Sequence, residues 1–576
     1  MKKLTFNPNN KLPIIIMLLF AANLIFGTRV IAQGKNEEVT VVAPYEPTIS
    51  DAFKINISPR LPEMVSEKPE FDLTVKEKVL NNPSELQQIK PAKIMGESVS
   101  KLYRNYLKVG FGNYTTPYLE FFANNLRSKK GAFGVHIKHL SSAGKIKDYA
   151  PAGYSDNEFN LRGKRFFKSH TLTSNAWYKK NSIHYYGFRP DDFPEISLSK
   201  DDIKQSYNRL GLSMKFEDNY TKGHKLDHTF SFGYSYLFDK FDAREHNILF
   251  NGDIAKDVNF FSFTDDQILG IETKVDYYFN SDSLTNSNSG IIQINPFYRL
   301  RFSQYKFYLG LNTMLESDSS IHVHFYPTLH LEVVVLKDLL VTYAGIKGSL
   351  AKNSFNTLSL ENPYIIPTIE KRFTNYKFEQ YGGLKGRIGK FLDYNLSFIN
   401  STVENMPFFV NDTASVMGEG LDNQFTLVYD RVKYSRVIAE FGFRYNEKLK
   451  STLRGQYNSY FMDNEAKPWH KPSLEISWGV DYQIQDKFII KGELKTTSKM
   501  YARTFETQTT DNINTTVLVP VEIKGMTDIS LGVEYRYSKT LSGFVNFNNL
   551  LGQRYFRWYN YPSYRFNMMM GVSYSF

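Results

Sequence analysis

The 576-residue chain has no cysteine. No disulfide can brace it, and no lipid-modified N-terminal cysteine can anchor it. Tryptophan is scarce, 4 residues against 39 Tyr and 46 Phe. Beyond the N-terminus there is no run of ~18 apolar residues, which excludes a helical membrane protein. There is no Gly-x-Ser-x-Gly elbow and no clustered acid–histidine pair, so no catalytic centre is legible and an enzyme is not expected. No compact basic motif calls for nucleic acid as a partner.

What is present begins with a targeting pattern. Lys2, Lys3 and Lys11 precede an apolar stretch from Ile14 to Phe26, and Val30-Ile31-Ala32 offers a cleavage point before Gln33. Residues 1–32 are expected to be a signal peptide. Export without lipidation leaves the periplasm, the outer membrane or secretion. The net charge is +11, and removing Lys2, Lys3, Lys11 and Arg29 leaves 11 − 4 = +7. Residues 33–100 hold seven of the 22 prolines, at 44, 47, 59, 62, 69, 83 and 91. Such spacing prevents a long helix or a central strand, so an extended segment is expected.

The last fourteen residues alternate cleanly. Tyr564, Phe566, Met568, Met570, Val572, Tyr574 and Phe576 face one way. Ser563, Arg565, Asn567, Gly571, Ser573 and Ser575 face the other, with Met569 as the exception. Similar alternation recurs from Leu107 onward, for example Phe230, Phe232, Tyr234, Tyr236 and Phe238, with Leu237 breaking the pattern. Mean hydropathy is −0.39, as suits strands with one wet face. Short turns alternate with longer loops at ~142–156, ~187–204, ~353–373, ~404–422 and ~501–522, provided strands lie at ~245–257 and ~424–443. The expected fold is all-β: a transmembrane antiparallel barrel over residues 101–576, of about 22 strands (range ~20–24). It is wide enough to hold a plug.

The end of the chain adds a resemblance. Asn548-Asn549-Leu550-Leu551-Gly552-Gln553-Arg554-Tyr555, Trp558, Tyr561-Pro562, Arg565-Phe566 and the closing Tyr574-Ser575-Phe576 resemble the terminus of TonB-dependent outer-membrane receptors. The Lys, Asn, Tyr and Phe richness resembles the Bacteroidota branch. The resemblance implies that Tyr574 and Phe576 are read by the outer-membrane assembly machinery. The stretch 37–44, with Glu38, Val39, Thr40, Val41 and Val42 at its centre, resembles the family's TonB box, which binds by strand addition; an ordinary short strand is the other reading. The family's plug is a compact domain of ~130–150 residues, in the range of independent domains. Residues 33–100 are shorter and proline-rich, so the barrel is expected to lack a full plug.

The implied function is solute uptake or passage across the outer membrane. The alternative is a structural barrel in a multi-protein complex without transport. Expected partners are the outer-membrane bilayer, the assembly machinery, and TonB or a surface lipoprotein; no cofactor or metal is expected. On strand 321–335, His322, His324 and Glu332 share the polar face, together with His330. They line a lumen, either as a metal or pH-sensitive site or as plain polar wall. Tyr501-Ala502-Arg503, Phe408, Phe409, Trp469 and Trp558 are expected at loops, binding ligand or forming the membrane girdles.

Overall fold

The computed structural model describes residues 103–126, 128–218, 226–318, 320–412, 421–510 and 513–576, with backbone alone for 506–516. Residues 1–102, including the TonB-box-like stretch 37–44, lie outside the described residues.

Twenty-two antiparallel strands form one sheet, from Asn105–Gly112 to Asn567–Ser575. The first strand pairs with both the second and the last, so the ladder closes. At the seam Val109 faces Val572 and Gly110 faces Gly571. The chain end takes part: Asn105 N–H donates to Phe576 O at 2.9 Å, and Phe576 N–H donates to Asn105 O at 3.0 Å. A closed ladder leaves no edge, the condition for a sheet in hydrocarbon.

Exposure runs opposite to that of a water-soluble sheet. In strand Asp266–Ser281, Leu269, Ile271 and Phe279 are exposed, whereas Asp276, Tyr278 and Asn280 are buried. At the seam Phe111, Met570, Val572 and Tyr574 stand exposed on the outer face, while Ser573 is buried. The alternating residues thus place an apolar band outside and polar groups within.

The expected strands at ~245–257 and ~424–443 are present as Arg244–Asp257 and Phe425–Tyr445. One end of the barrel carries tight turns such as 303–304, 337–339 and 446–448. The other carries the long connectors 143–153, 185–203, 352–373, 412–424, 463–473, 498–525 and 549–566. The alternation is not strict, since 113–115, 239–243, 282–285 and 318–320 are short at the loop end.

Three boundaries differ from expectation. The strand expected to end near 404 runs on as Leu392–Asn411. Its register shifts between Val403 and Met406, and Asn405 has φ +54°. This bulge breaks the alternation and re-aims the residues beyond it. The stretch 501–522 is a hairpin, Met500–Thr510 with Ile513–Ile523, outside the barrel sheet. The last strand starts at Asn567, not Ser563. Tyr561–Pro562 pairs instead with Phe556–Trp558. Asn549 ties this loop, its amide donating to Gln553 O at 2.7 Å and Tyr564 O at 3.0 Å.

The seam offers a clean test of closure. A Cβ on Gly571 would lie 2.0 Å from Val109 O and 2.7 Å from Gly110 Cα, both backbone atoms. Gly571→Val is expected to abolish most of the folded, heat-modifiable band on electrophoresis. A band of wild-type intensity would contradict the seam geometry.

Candidate functional site: a loop lid over the barrel mouth

Twenty-two strands ~4.8 Å apart and tilted ~40° enclose a ring roughly 40 Å across. Its loops nevertheless meet over the lumen. The loop after strand His170–His184 and the loop before strand Phe425–Tyr445 leave the wall ten strands apart, nearly opposite. Yet the Asn423 amide donates to Tyr185 O at 2.9 Å. Tyr185 Oη–H donates to Ile365 O at 2.9 Å, and Tyr207 Oη–H donates to Pro363 O at 2.8 Å. The last loop joins them: Tyr186 Oη–H donates to Pro562 O at 3.0 Å, and Tyr561 Oη–H donates to Asn423 O.

Aromatic packing fills the space between. Tyr364 stacks on Tyr561 with centroids 3.6 Å apart, and Trp558 meets Phe409 at 5.1 Å and Phe425 at 5.5 Å. Phe355, Leu358, Ile365, Ile369 and Leu427 complete this core. Tyrosine suits such a lid because the ring buries apolar area while the hydroxyl finds a carbonyl across the gap. Leu237, the apolar residue on a polar face, is explained: it points inward and packs into the lid.

A short helix latches the lid to the wall. Helix Phe355–Glu361 begins at a capping box, Ser354 with Thr357. The buried Glu245 carboxylate accepts from Phe355 N–H at 2.7 Å, where the helix N-terminus favours negative charge. Buried Arg209 reaches the same helix, donating from Nε to Asn356 Oδ1 at 2.8 Å and from Nη2 to Ser359 Oγ at 2.7 Å. A second anchor holds the outer hairpin. Trp469 Nε1–H donates to Glu465 at 2.7 Å, and Arg503 pairs with Glu465 at 3.2 Å.

Two titrating groups lie within the lid. His470 Nδ1–H donates to Phe409 O at 2.9 Å, and Nε2 accepts from Tyr559 N–H at 3.3 Å. Burial pushes the imidazole down to about 4. Burial pushes the Asp239 carboxyl up to about 6, although Phe241 N–H, Ala243 N–H and Gln205 donate to it.

The residues singled out from sequence divide differently. Phe408, Phe409 and Trp469 are 0–1% exposed and Trp558 is 6% exposed. They are neither surface ligands nor a girdle: Phe409 and Trp558 are buried in the lid core, and Phe408 and Trp469 in a second cluster with Val403, Val432 and Tyr434. Ala502 is buried and Arg503 is paired, so Tyr501-Ala502-Arg503 anchors the hairpin. His322 and His324 lie side by side on the inner face, ring centroids 6.4 Å apart. His324 bonds Glu316 at 2.7 Å, whereas Glu332 sits between Lys306 (2.7 Å) and Lys385 (2.5 Å). The fold therefore does not bring Glu332 to the histidines. Among the described residues no group of three His, Asp or Glu is placed to hold a metal. Acid–histidine pairs do form across strands, His324–Glu316 and His136–Glu120, where sequence showed none. Tyr574 and Phe576 stack 5.4 Å apart and are exposed beside the seam.

No protein-family model matches the chain, and no curated protein is detectably similar to it. Solved structures are similar in fold. The siderophore receptor PirA from Acinetobacter baumannii superposes with TM-score 0.60 at 11% identity, over 83% of this chain and 81% of that one. The FrpB iron transporter from Neisseria meningitidis gives 0.59 at 9%, over 83% of each. The pyoverdine outer membrane receptor FpvA from Pseudomonas aeruginosa gives 0.59 at 13%, over 83% and 79%.

Truncating Trp558 to Ala removes packing worth ~3–5 kcal/mol for a buried aromatic. Limited proteolysis is expected to cut the loops of W558A much faster than those of wild type, with the wall still protected; equal rates would contradict the lid core. His470 supplies a pH test. Its value is depressed, so its contribution is present above about 6.5 and lost as pH falls toward about 4. Asp239, raised, works in the opposite direction over a similar window. Comparison with H470Q isolates the histidine. Acrylamide quenching of tryptophan should rise more on acidification in wild type than in H470Q; parallel curves would contradict the assignment.

Proposed function

We propose that the chain is an outer-membrane receptor-type transporter, admitting a solute through its lumen when the loop lid opens. The observation that carries this reading is the combination of a closed 22-strand wall with an inward-folded mouth. A barrel that only scaffolds neighbours needs no polar lumen and no separately packed lid. The solved structures of like fold are receptors and an iron transporter, which supports the same reading. No catalytic role is assigned to the cross-strand acid–histidine pairs.

The lid is read as extracellular and the tight turns as periplasmic, which puts Phe576 at the periplasmic rim for the assembly machinery. Residues 1–32 are taken as the signal peptide, and residues 33–100 as a periplasmic or lumenal segment in place of a full plug. Glu38, Val39, Thr40, Val41 and Val42 are assigned as the TonB-binding strand, with opening energised through it. The chain's composition supports a place in the Bacteroidota branch.

A lumen that conducts when unlatched separates transport from scaffolding. The double variant W558A/Y561A is expected to sensitise cells to large antibiotics that the outer membrane excludes, several-fold against wild type at equal surface expression. Unchanged sensitivity, with the lid shown open by proteolysis, would sink the transport reading and favour a sealed scaffold.

A further inference from the structure

Where the lid meets the wall there is a cavity of about 390 Å³, lined in part by Tyr207 of the lid core and by Arg209 and Ser359 of the latch. That volume lies within the ~300–1,000 Å³ of small-ligand sites. Its wall carries groups of opposite charge that do not pair directly. Arg209, 3% exposed, has three neutral partners: Asn356, Ser359 and Asn181 Oδ1, the last at 2.8 Å. Two of its five N–H groups remain without a partner among the described residues. Its guanidinium also lies over the Tyr207 ring at 4.9 Å. Glu245 and Asp156 act on the guanidinium only through space and make no direct ion pair with it, so a carboxylate placed in the cavity would supply the contact anion that its open N–H groups lack. On the other side of Asn181 stands Asp156, exposed, accepting from the Asn181 amide. Its other oxygen has no hydrogen-bond partner among the described residues and is open to a cation.

A third group narrows the class. His184 lines the same cavity, and its Nδ1–H donates to Gly153 O at 2.5 Å. That bond fixes the tautomer and leaves Nε2 as an acceptor. Nε2 is buried with no partner among the described residues. The cavity thus presents a cation, an anion and a bare acceptor, with the rings of Tyr186, Tyr364 and Tyr564 around them. A simple anion leaves Asp156 unmatched and opposes it. A simple cation does the same at Arg209. A neutral sugar answers neither charge.

We propose that this cavity receives a short peptide: its carboxylate on Arg209, its ammonium on Asp156, and a backbone N–H toward His184 Nε2. The assignment rests on the transport reading and names its substrate class. It also ties recognition to the lid, because Asn356 and Ser359, which Arg209 holds, belong to the lid helix.

Isothermal titration of the purified full chain in detergent at pH 7 tests it, with trialanine as the probe. Three capped forms serve as controls: N-acetylated, C-amidated and doubly capped. Trialanine is expected to bind, and capping either end to weaken binding at least ~tenfold, the scale of a lost charge-assisted bond of ~1.4 kcal/mol. Asp156 does not hold the lid, so D156N should fold normally and lose discrimination against the N-acetylated form alone. R209Q should lose discrimination against the amide, its lid integrity being checked by proteolysis. Equal affinity for all four probes, no binding, or an unchanged N-terminal preference in D156N would overturn the proposal. Antibiotic sensitisation by W558A/Y561A without trialanine binding would overturn the peptide site and leave transport standing. Trialanine binding without sensitisation would do the reverse.

Discussion

Everything in this molecule depends on closing one hydrogen-bonded ladder. In hydrocarbon an unpaired backbone group costs several kcal/mol, so an open sheet of this kind cannot persist. The seam between Asn105–Gly112 and Asn567–Ser575 meets that demand, with Phe576 pairing to Asn105. Its strands have 8 and 9 residues, close to the ~9–11 that span a bilayer. On the far side Leu392–Asn411 and Phe425–Tyr445 have 20 and 21. The surplus rises beyond the bilayer and carries Phe409 and Phe425 into the lid core, and Phe408 into the cluster around Trp469.

The lid is a different kind of structure from the wall. Side chains supply most of what holds it, beside one short backbone bridge between Ile365 and Phe425: tyrosine hydroxyls on carbonyls from other loops, stacked rings, and two buried charges on one helix, Glu245 at its first N–H and Arg209 on Asn356 and Ser359. Two polar atoms of its fully buried residues, Asn362 Nδ2 and Asn423 Oδ1, have no partner among the described residues. Each such group costs ~1–3 kcal/mol, which lowers the stability of the closed form. A wall that must not open and a lid that is held less completely are what a gated passage requires.

The wall was legible because membrane strands repeat at period 2 and tight turns separate them. The count of 22 and the weak strands near 245 and 424 followed from that pattern. The lid was not, because its contacts join residues hundreds of positions apart and no local pattern encodes them. The bulge at Asn405 hid the end of its strand by breaking the alternation. Tyr564 continued the last strand's alternation yet folds into the loop, since Asn549 on its carbonyl and the carbonyls of Gly144 and Ala152 on its hydroxyl outweigh further ladder positions. One trace of the lid was visible: Leu237, apolar on an otherwise polar face. The cavity left no trace, because Asp156, Asn181 and Arg209 come from three neighbouring strands and meet only in register.

The central claim is that loops from opposite sides of the wall meet over the lumen and hold it shut. The chain has no cysteine, so L360C on the lid helix and L551C in the last loop, both exposed, can be spin-labelled uniquely. Pulsed dipolar spectroscopy on the full chain in bilayers then reports the distance across the mouth. The account predicts a single narrow distribution for this pair, broadened and lengthened when Trp558 is also replaced by Ala. A distribution already broad with Trp558 in place would contradict a closed lid.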